Sequence, residues 1–415
     1  MNFRLSAEKR RFLVNFFNYG LFQASKYIVP LITVPYIIHV LGIEKFGIIS
    51  LAQGIANYIR VGVDYGWNIL GVQYIARAST DRSQQRHIVS TILAQQLLLS
   101  AIGFLLLALA TLVFPKLQRY WLVFWVAYGL VPGNMLLSSW FYVGIQKVKY
   151  LNALFLFSRF LYVALVLLML KPLGHMIWVP AFNSLSLLVG GCISLWIIRN
   201  RFSLAPFQTN LTSIKQYFKE GWPIFISYFS TNFYRNSNII ILSFFANDYA
   251  LGLYSAAEKI IKVLQGTFMP LSQTIYPYLS KISVQSREQA IHMVKKVTFY
   301  MGLLALLAVG VLNFLAPWIY RLITGYTVQE GYRLLQIGSG VIFFGVLNFV
   351  VGVMFMTNFG LKHLFARGVV VTGIVGIASC FILSYLWQAP GAMASFTLSE
   401  AFLLGLLLTM IKKLK

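Results

Sequence analysis

The stretch YSAAEKIIKVLQG, residues 254–266, carries charged side chains inside an otherwise apolar part of the chain. Glu258, Lys259 and Lys262 fall near the middle of an apolar run at 249–279. A helix needs about 20 mostly apolar residues to cross a bilayer, and this run is long enough. Because a charge at that depth is costly unless it faces water or another polar group, the stretch predicts a membrane protein with a polar interior.

The composition extends this prediction to the whole chain. Of its 415 residues 59% are hydrophobic and only 11% charged, and the mean hydropathy is +0.74. A soluble protein of this length needs far more polar surface. We therefore expect an all-α integral membrane protein with about 12 transmembrane helices and no room for a soluble domain. The predicted spans are 12–38, 46–75, 88–114, 120–143, 150–170, 176–198, 221–246, 249–279, 297–323, 331–356, 364–386 and 388–411.

The formal net charge of +24 is explained by the positive-inside rule rather than by a nucleic-acid partner. With twelve spans, most Lys and Arg fall in loops on the side of the amino terminus. The opposite loops hold only Lys45, Lys116, Arg119, Lys171, Arg321 and Arg333. This asymmetry predicts that both termini are cytoplasmic. The cysteines lie in apolar runs and the histidines are scattered, so we expect no disulfide, metal site or cofactor.

The remaining charges lie within predicted spans. The basic ones are Lys26, Arg60, Arg159, Arg235, Lys259 and Lys262, and the acidic ones are Asp64, Glu258 and Glu400. Each costs about 2.5–3.5 kcal/mol at mid-bilayer on insertion scales, so lipid-facing positions are disfavoured. Two i, i+4 ion pairs are available, Asp64 with Arg60 and Glu258 with Lys262, and either pair alone is compatible with a structural role. The lone charges Arg159 and Glu400 are also compatible with a structural role.

The two paired acids cannot neutralise all the other cations, which predicts an anionic ligand. Phosphate suits Arg and Lys donors. The predicted phosphate-binding residues are Lys26, Arg60, Arg235, Lys259 and Lys262. Polar side chains at helical spacing continue the same faces and predict a hydrated cavity. This polar lining comprises Gln53, Asn57, Thr231, Asn238 and Gln265.

An internal repeat relates the two halves of the chain. FGIISLAQG (46–54) aligns with LGLYSAAEK (251–259) through matching Gly, Ser and Ala residues, and both stretches open a predicted span that follows an extracytoplasmic loop. Transporters are often built from such repeats, with the binding site between them. We expect two six-helix lobes related by a parallel repeat around a central cationic cavity. The predicted division is an amino-terminal lobe at 1–198, a cytoplasmic linker at 199–220 and a carboxy-terminal lobe at 221–415.

Several stretches resemble the polysaccharide transport family, and more narrowly its Wzx-type O-antigen flippases in the multidrug/oligosaccharidyl-lipid/polysaccharide superfamily. They are VPYIIHVLGIEKFG (34–47), VDYGWNIL (63–70), ARASTDR (76–82), WFYVGIQKVKY (140–150), LGLYSAAEKIIKVLQG (251–266) and QTIYPYLS (273–280). The chain departs from the family at His39, where a basic residue is frequent, and at Gln146, where an acid is frequent. The departures put the contacts at those span ends in question.

The resemblance implies a flippase of a bacterial inner membrane that works by alternating access. Its substrate would be an undecaprenyl-diphosphate-linked oligosaccharide, moved from the cytoplasmic to the periplasmic leaflet for O-antigen and lipopolysaccharide biosynthesis. The diphosphate would supply the anion that the cationic cavity lacks. Membrane lipid, a proton or sodium counter-ion and the polysaccharide polymerase machinery are the other partners to consider.

Two other functions compete with this interpretation. An integral-membrane polysaccharide polymerase or ligase would need catalytic groups on a sizeable loop, and no carboxylate pair of the glycosyl-transfer type occurs there. A drug exporter of the same superfamily would be expected to line its cavity with acids if its drugs are cationic. The chain has no G-x-x-x-x-G-K-[ST] motif, so ATP is not the expected energy source. The candidates for ion coupling are Asp64, then Glu258, and Glu400.

Overall fold

Helices account for almost all of the chain that the computed structural model describes, which is residues 28–79, 81–204, 209–325 and 328–412. No β-strand occurs within these ranges. An all-α chain satisfies its backbone hydrogen bonds within each helix, as a bilayer requires. The predicted all-α class is confirmed.

The helices follow one another with short connections. In chain order they are α1 (Ile28–Leu41), α2 (Ile43–Asp64), α3 (Trp67–Arg77), α4 (Arg82–Val113), α5 (Pro115–Arg119), α6 (Trp121–Tyr128), α7 (Leu130–Leu137), α8 (Ser139–Gly144), α9 (Val148–Leu173), α10 (Trp178–Arg201), α11 (Leu211–Asn236), α12 (Asn238–Leu242), α13 (Asp248–Gly266), α14 (Met269–Gln285), α15 (Arg287–Thr324), α16 (Gln329–Asn348), a π-helix (Phe349–Met356) and α17 (Lys362–Lys412).

The described chain forms two compact units. The first unit contains the described residues up to Val40 together with Ile55–Phe229. The second contains Leu41–Gly54 together with the described residues from Ser230 onward. Helices α2 and α11 therefore have a part in each unit, as does α1 through its last residue, Leu41. The lobe and linker boundaries expected from the sequence remain a prediction.

Eight helical stretches in the described chain are long and apolar enough to cross a membrane. They are Ile43–Arg77, Arg82–Val113, Trp121–Gly144, Val148–Leu173, Trp178–Arg201, Arg287–Thr324, Gln329–Met356 and Lys362–Lys412, with α1 as a shorter apolar helix. Large apolar side chains such as Leu112, Leu168 and Phe314 are exposed along these helices. Soluble proteins rarely expose such continuous apolar surface, so the chain is a multi-pass membrane protein. The count of twelve spans remains a prediction.

The last of these stretches, α17, consists of two antiparallel arms. Gln388 interrupts the helix with φ 50° and ψ −126°. Ser379 on the first arm contacts Ser395 on the second, with 2.8 Å between their hydroxyl oxygens. A Cβ on Gly376 would lie 2.7 Å from the hydroxyl oxygen of Ser399. The arms correspond to two predicted spans, 364–386 and 388–411.

One predicted span of the amino-terminal half is broken by a left-handed turn of the backbone. The span predicted at 46–75 is interrupted because Tyr65 and Gly66 have φ of 48° and 81°. The Tyr65 hydroxyl donates a 3.0 Å hydrogen bond to the carbonyl of Phe218, which holds this left-handed turn within the first unit. As a result α2 ends at Asp64, at one of the predicted site residues.

In the second unit, the first part of α2 packs against α13 through Gly47 and Gly252. A Cβ on Gly47 would lie 2.5 Å from the carbonyl oxygen of Asp248, and a Cβ on Gly252 would overlap the carbonyl of Ile43. The offset between Gly47 and Gly252 is the same as that between Ile43 and Asp248, and it is the offset of the predicted repeat. Reciprocal contacts of this kind are what a twofold relation between two similar helices produces.

We expect Gly47→Ala and Gly252→Ala to destabilise the protein, because a single methyl group has no room at this backbone contact. Overpacking of a close contact costs about 1–3 kcal/mol. Gly62→Ala is the matched control in α2, since a Cβ at Gly62 meets nothing within 4 Å. The control should be neutral or stabilising by about 0.5–1 kcal/mol. Thermal unfolding in detergent measures the difference, and equal melting temperatures for Gly47→Ala and Gly62→Ala would contradict the contact.

Candidate functional site

Three of the predicted site residues cannot be placed by their side chains. Lys26 lies outside the described residues. Thr231 and Arg235 lie in α11, but their side chains fall outside the described part of the chain. The other predicted residues are described, and the two units hold them in separate clusters.

Arg60 organises the cluster of the first unit. Its Nη1 lies 2.6 Å from Oδ2 of Asp64, and its Nε donates a 3.1 Å hydrogen bond to Oδ1 of Asn57. The hydroxyl of Tyr228 also accepts a hydrogen bond from Arg60. The i, i+4 pair considered from the sequence is therefore present. Tyr228 was not predicted, although it lies in α11 three residues before the predicted lining residue Thr231. Gln53, which the i, i+4 and i, i+3 spacing places on the same face of α2 as Asn57 and Arg60, belongs to the second unit.

Glu258 and Lys262 form the second i, i+4 pair, on α13 in the second unit. Lys262 Nζ lies 3.0 Å from Oε1 of Glu258 and 3.4 Å from Oδ1 of Asn236. The Tyr254 hydroxyl donates a 3.4 Å hydrogen bond to the same Glu258 oxygen and accepts one from Asn238. The predicted residue Asn238 is thus tied to the pair through Tyr254. Because Glu258 is buried, the pair and its hydrogen bonds compensate a carboxylate that is removed from water.

Lys259 has a different environment, although it is the direct neighbour of Glu258 in sequence. Its ammonium donates a 3.3 Å hydrogen bond to the hydroxyl of Ser50 and lies 4.4 Å from the centre of the Phe46 ring. A ring face attracts a cation by about 0.5–2 kcal/mol, but it carries no net charge. Among the described residues no carboxylate forms an ion pair with Lys259. Ser50 was singled out only as a repeat match, and Phe46 only as part of a quoted stretch.

Glu400 lies on the second arm of α17 and faces α16. Its Oε2 accepts a 2.7 Å hydrogen bond from Nδ2 of Asn348, which also donates to the backbone carbonyl of Glu400 at 2.8 Å. The side-chain amide of Gln265, a predicted lining residue, lies directly against the backbone of Gly345 in α16. A Cβ on Gly345 would overlap Nε2 of Gln265. A Cβ at Gly345 would be 3.7 Å from Oε2 of Glu400. Asn348 was not predicted, since a single Asn in an apolar run gives no spacing signal.

The two described ion pairs differ from Lys259 in net charge. Arg60 with Asp64 and Lys262 with Glu258 are each neutral as pairs. Lys259 is the predicted phosphate-binding cation that has no carboxylate partner in the described part of the chain. An ammonium in this setting is suited to hold an anionic ligand, because an uncompensated charge away from water gains strongly from a counter-ion.

The chain is similar to known proteins both in sequence and in fold. Residues 12–283 match the family model described as "Polysaccharide biosynthesis protein". An O-antigen transporter of Escherichia coli (strain K12) is 25% identical over 393 residues, covering 95% of each chain. The lipid II flippase MurJ in an inward closed conformation has a TM-score of 0.74 at 11% identity, covering 94% of this chain and 87% of its own. An inward-facing multidrug resistance MATE family transporter of the MOP superfamily has a TM-score of 0.68 at 14% identity, covering 96% and 94%.

Proposed function

Because the chain belongs to the polysaccharide biosynthesis protein family, we propose that it is a flippase for lipid-linked oligosaccharides. It moves undecaprenyl-diphosphate-linked repeat units of the O-antigen type from the cytoplasmic to the periplasmic leaflet of a bacterial inner membrane. The chain spans almost the whole length of its O-antigen transporter relative, and its fold is that of MOP-superfamily transporters and of a lipid flippase. A transport role requires no catalytic residue.

The observation that carries the proposal is the environment of Lys259. Its ammonium contacts a hydroxyl and a ring face in a span predicted from the sequence, with no carboxylate partner in the described chain. A diphosphate is the anionic part of the proposed substrate, and Lys binds phosphate as a compact point charge. Cationic drugs would be repelled at this position, which disfavours the drug exporter.

We assign the same role to the other predicted phosphate-binding cations, which are Lys26, Arg60, Arg235 and Lys262. Arg60 and Lys262 are held by acids one helical turn away, so they become available to the substrate only when those pairs open. Alternating access supplies such a step, because binding sites are remodelled between its states.

Reconstituted vesicles test the substrate directly. The purified protein is inserted into liposomes with a fluorescent undecaprenyl-diphosphate oligosaccharide, and the fraction that reaches the opposite leaflet is read by a membrane-impermeant quencher. We expect movement of the diphosphate lipid and little movement of an otherwise identical monophosphate lipid. Efflux of a cationic dye with no lipid movement would favour the drug exporter instead and reject the proposal.

Substrate specificity within the class is tested in cells. The gene is expressed in flippase-null strains that make different defined O-antigens. Restored surface O-antigen in at least one background is expected. The pattern of rescue then identifies which repeat units are accepted.

The predicted topology is tested by cysteine labelling in a background without Cys192 and Cys380. His175→Cys, in the short connection between α9 and α10, should react with an impermeant maleimide in intact cells because loop 171–176 is predicted to be periplasmic. Arg82→Cys, exposed at the start of α4, should react only after the membrane is opened. Labelling of position 82 from outside would reverse the proposed orientation of the chain and of both termini.

A further inference from the structure

Helix α15 is longer than a bilayer is thick. It has 38 residues, which corresponds to a length of about 57 Å at 1.5 Å per residue. The hydrocarbon core of a bilayer measures only about 30 Å. The helix begins at Arg287, whereas its long apolar run begins at Val297. The first part of α15, residues 287–296, therefore lies outside the hydrocarbon core.

This first part of α15 packs on α14, and the two form a helical hairpin in the second unit. Ser286 joins the helices in an extended conformation, and its hydroxyl accepts a 3.3 Å hydrogen bond from the backbone amide of Gln289. The inner faces of the hairpin meet in a buried apolar cluster that includes Leu279, Ala290 and Val294. Charged side chains of the hairpin are therefore confined to its outer face.

The outer face of the hairpin is strongly basic. It exposes four cations, which are Lys281, Arg287, Lys295 and Lys296. Glu288 is the only acid in the sequence between 269 and 300. Within the described ranges, none of the four cations forms an ion pair with a carboxylate. The positive charge of this surface is thus not neutralised by the protein.

Neighbouring elements bring further cations to the same end of the unit. The Ser280 hydroxyl donates a 2.7 Å hydrogen bond to Oδ1 of Asn358, shortly before α17 begins. A Cβ on Gly368, in the first arm of α17, would lie 3.0 Å from the side chain of Leu407 in the second arm, so the second arm ends here too. The exposed cations added by α17 are Lys362, Arg367 and Lys412.

Lys295 and Lys296 occupy the lipid-facing side of α15. Lys295 precedes Phe299 by one helical turn on the same face, and Lys296 stands in the same relation to Tyr300. Phe299 is 67% and Tyr300 53% exposed, and the exposed apolar face continues from Leu303 onward. Helical side chains point back toward the amino terminus, so both ammonium groups extend away from the apolar face. Long basic side chains reach the level of the lipid headgroups in this way.

The positive-inside rule alone does not explain this arrangement. That rule concerns how many Lys and Arg lie on one side of a membrane, and it is indifferent to the helix face that they occupy. Here two lysines lie one turn beyond the lipid-facing rings. The opposite end of α15 has a single cation, Arg321, in its last turn.

We propose that the outer face of the α14–α15 hairpin binds the headgroup phosphate of an anionic phospholipid, such as phosphatidylglycerol or cardiolipin. Lys295 and Lys296 contact the phosphate, and Lys281 and Arg287 extend the positive surface beside it. Clusters of four or more basic residues next to a membrane helix bind anionic lipids, because each cation gains from the negative surface potential. The site requires no transport activity, and it is independent of the proposed flippase function.

Native mass spectrometry of the full-length protein in detergent tests the site. The apparent dissociation constants are measured for phosphatidylglycerol and for phosphatidylethanolamine, and we expect tighter binding of phosphatidylglycerol. Lys295→Gln/Lys296→Gln should weaken phosphatidylglycerol binding on the order of 10- to 30-fold, because each lysine contributes about fivefold near an anionic surface. Binding of phosphatidylethanolamine should not change. Lys295→Arg/Lys296→Arg keeps both charges and should keep the preference.

A matched control separates the site from net charge. Arg321→Gln/Arg333→Gln removes the same charge from exposed positions at the opposite end of the same unit, and it should retain the wild-type preference. The two lysines are exposed, so their replacement opens no cavity, and melting temperatures check this. If the lysine variant still fails to fold, the wild type is measured in rising salt. The preference for phosphatidylglycerol must then fall, because salt screens exposed charges.

Photocrosslinking locates the bound lipid. A photoreactive phosphatidylglycerol should form adducts between Tyr278 and Tyr300, and excess phosphatidylglycerol should suppress them, whereas phosphatidylethanolamine should not. Equal binding of the two lipids by the wild type would overturn the proposal, as would adducts confined to other parts of the chain. An equal loss of binding in the lysine and arginine variants would reduce the effect to net charge and reject the site. Suppression of the adducts by millimolar inorganic phosphate would identify a site for free anions and reject the lipid.

Discussion

Lys259→Ala is expected to abolish flipping of the diphosphate lipid while the protein still inserts and folds. The ammonium has no ion-pair partner in the described chain, so its removal leaves no buried acid behind. Loss of a desolvated charge contact costs on the order of 2–5 kcal/mol. That corresponds to a loss of substrate affinity of about 30-fold or more. The measurement is the initial flipping rate in vesicles, together with binding of the diphosphate lipid.

Three further variants separate charge from shape at this position. Lys259→Met keeps the length of the side chain without its charge and should be as inactive as Lys259→Ala. Lys259→Arg keeps the charge and should retain part of the rate, although guanidinium and ammonium groups bind phosphate differently. Lys45→Ala, which removes an exposed lysine near the start of α2, should be unaffected. Wild-type rates for both uncharged Lys259 variants would rule out the phosphate role.

Regular patterns explain which parts of the structure were predictable from sequence. Hydropathy predicts the long helices because about 20 successive residues of a span are mostly apolar, so no single residue decides the prediction. The i, i+4 spacing predicts both ion pairs, and the structure contains them. The repeat predicted that Gly47 and Gly252 are equivalent, which is visible in their reciprocal packing.

Features that depend on a single residue and on tertiary contacts were missed. Tyr65 adopts a positive φ that its type does not favour, and its hydrogen bond to the Phe218 carbonyl stabilises it. The π-helix after Asn348 also has no period that a sequence pattern reveals. The same limit applies to the partners of Lys259 and Glu400, because Ser50 and Asn348 come from distant parts of the chain.

Arg60 requires a different experiment, because its removal also leaves Asp64 without a partner. Breaking a buried ion pair from one side costs about 3–5 kcal/mol, since the remaining charge is uncompensated. Arg60→Ala is therefore expected to reduce both the yield of folded protein and the flipping rate. That result alone does not distinguish a structural pair from a substrate-binding cation.

The double variant Arg60→Ala/Asp64→Asn separates the two roles. Replacing the carboxylate with a neutral amide of the same shape removes the unpaired charge, so folded yield and melting temperature should recover most of the loss. Flipping should remain lost, because the cation assigned to the diphosphate is still absent. The single variant Arg60→Lys, which keeps the positive charge, should retain part of the wild-type flipping rate. If the double variant folds and flips at the wild-type rate, Arg60 serves only to neutralise Asp64, and the cationic site must be built from Lys259 and the remaining cations without it.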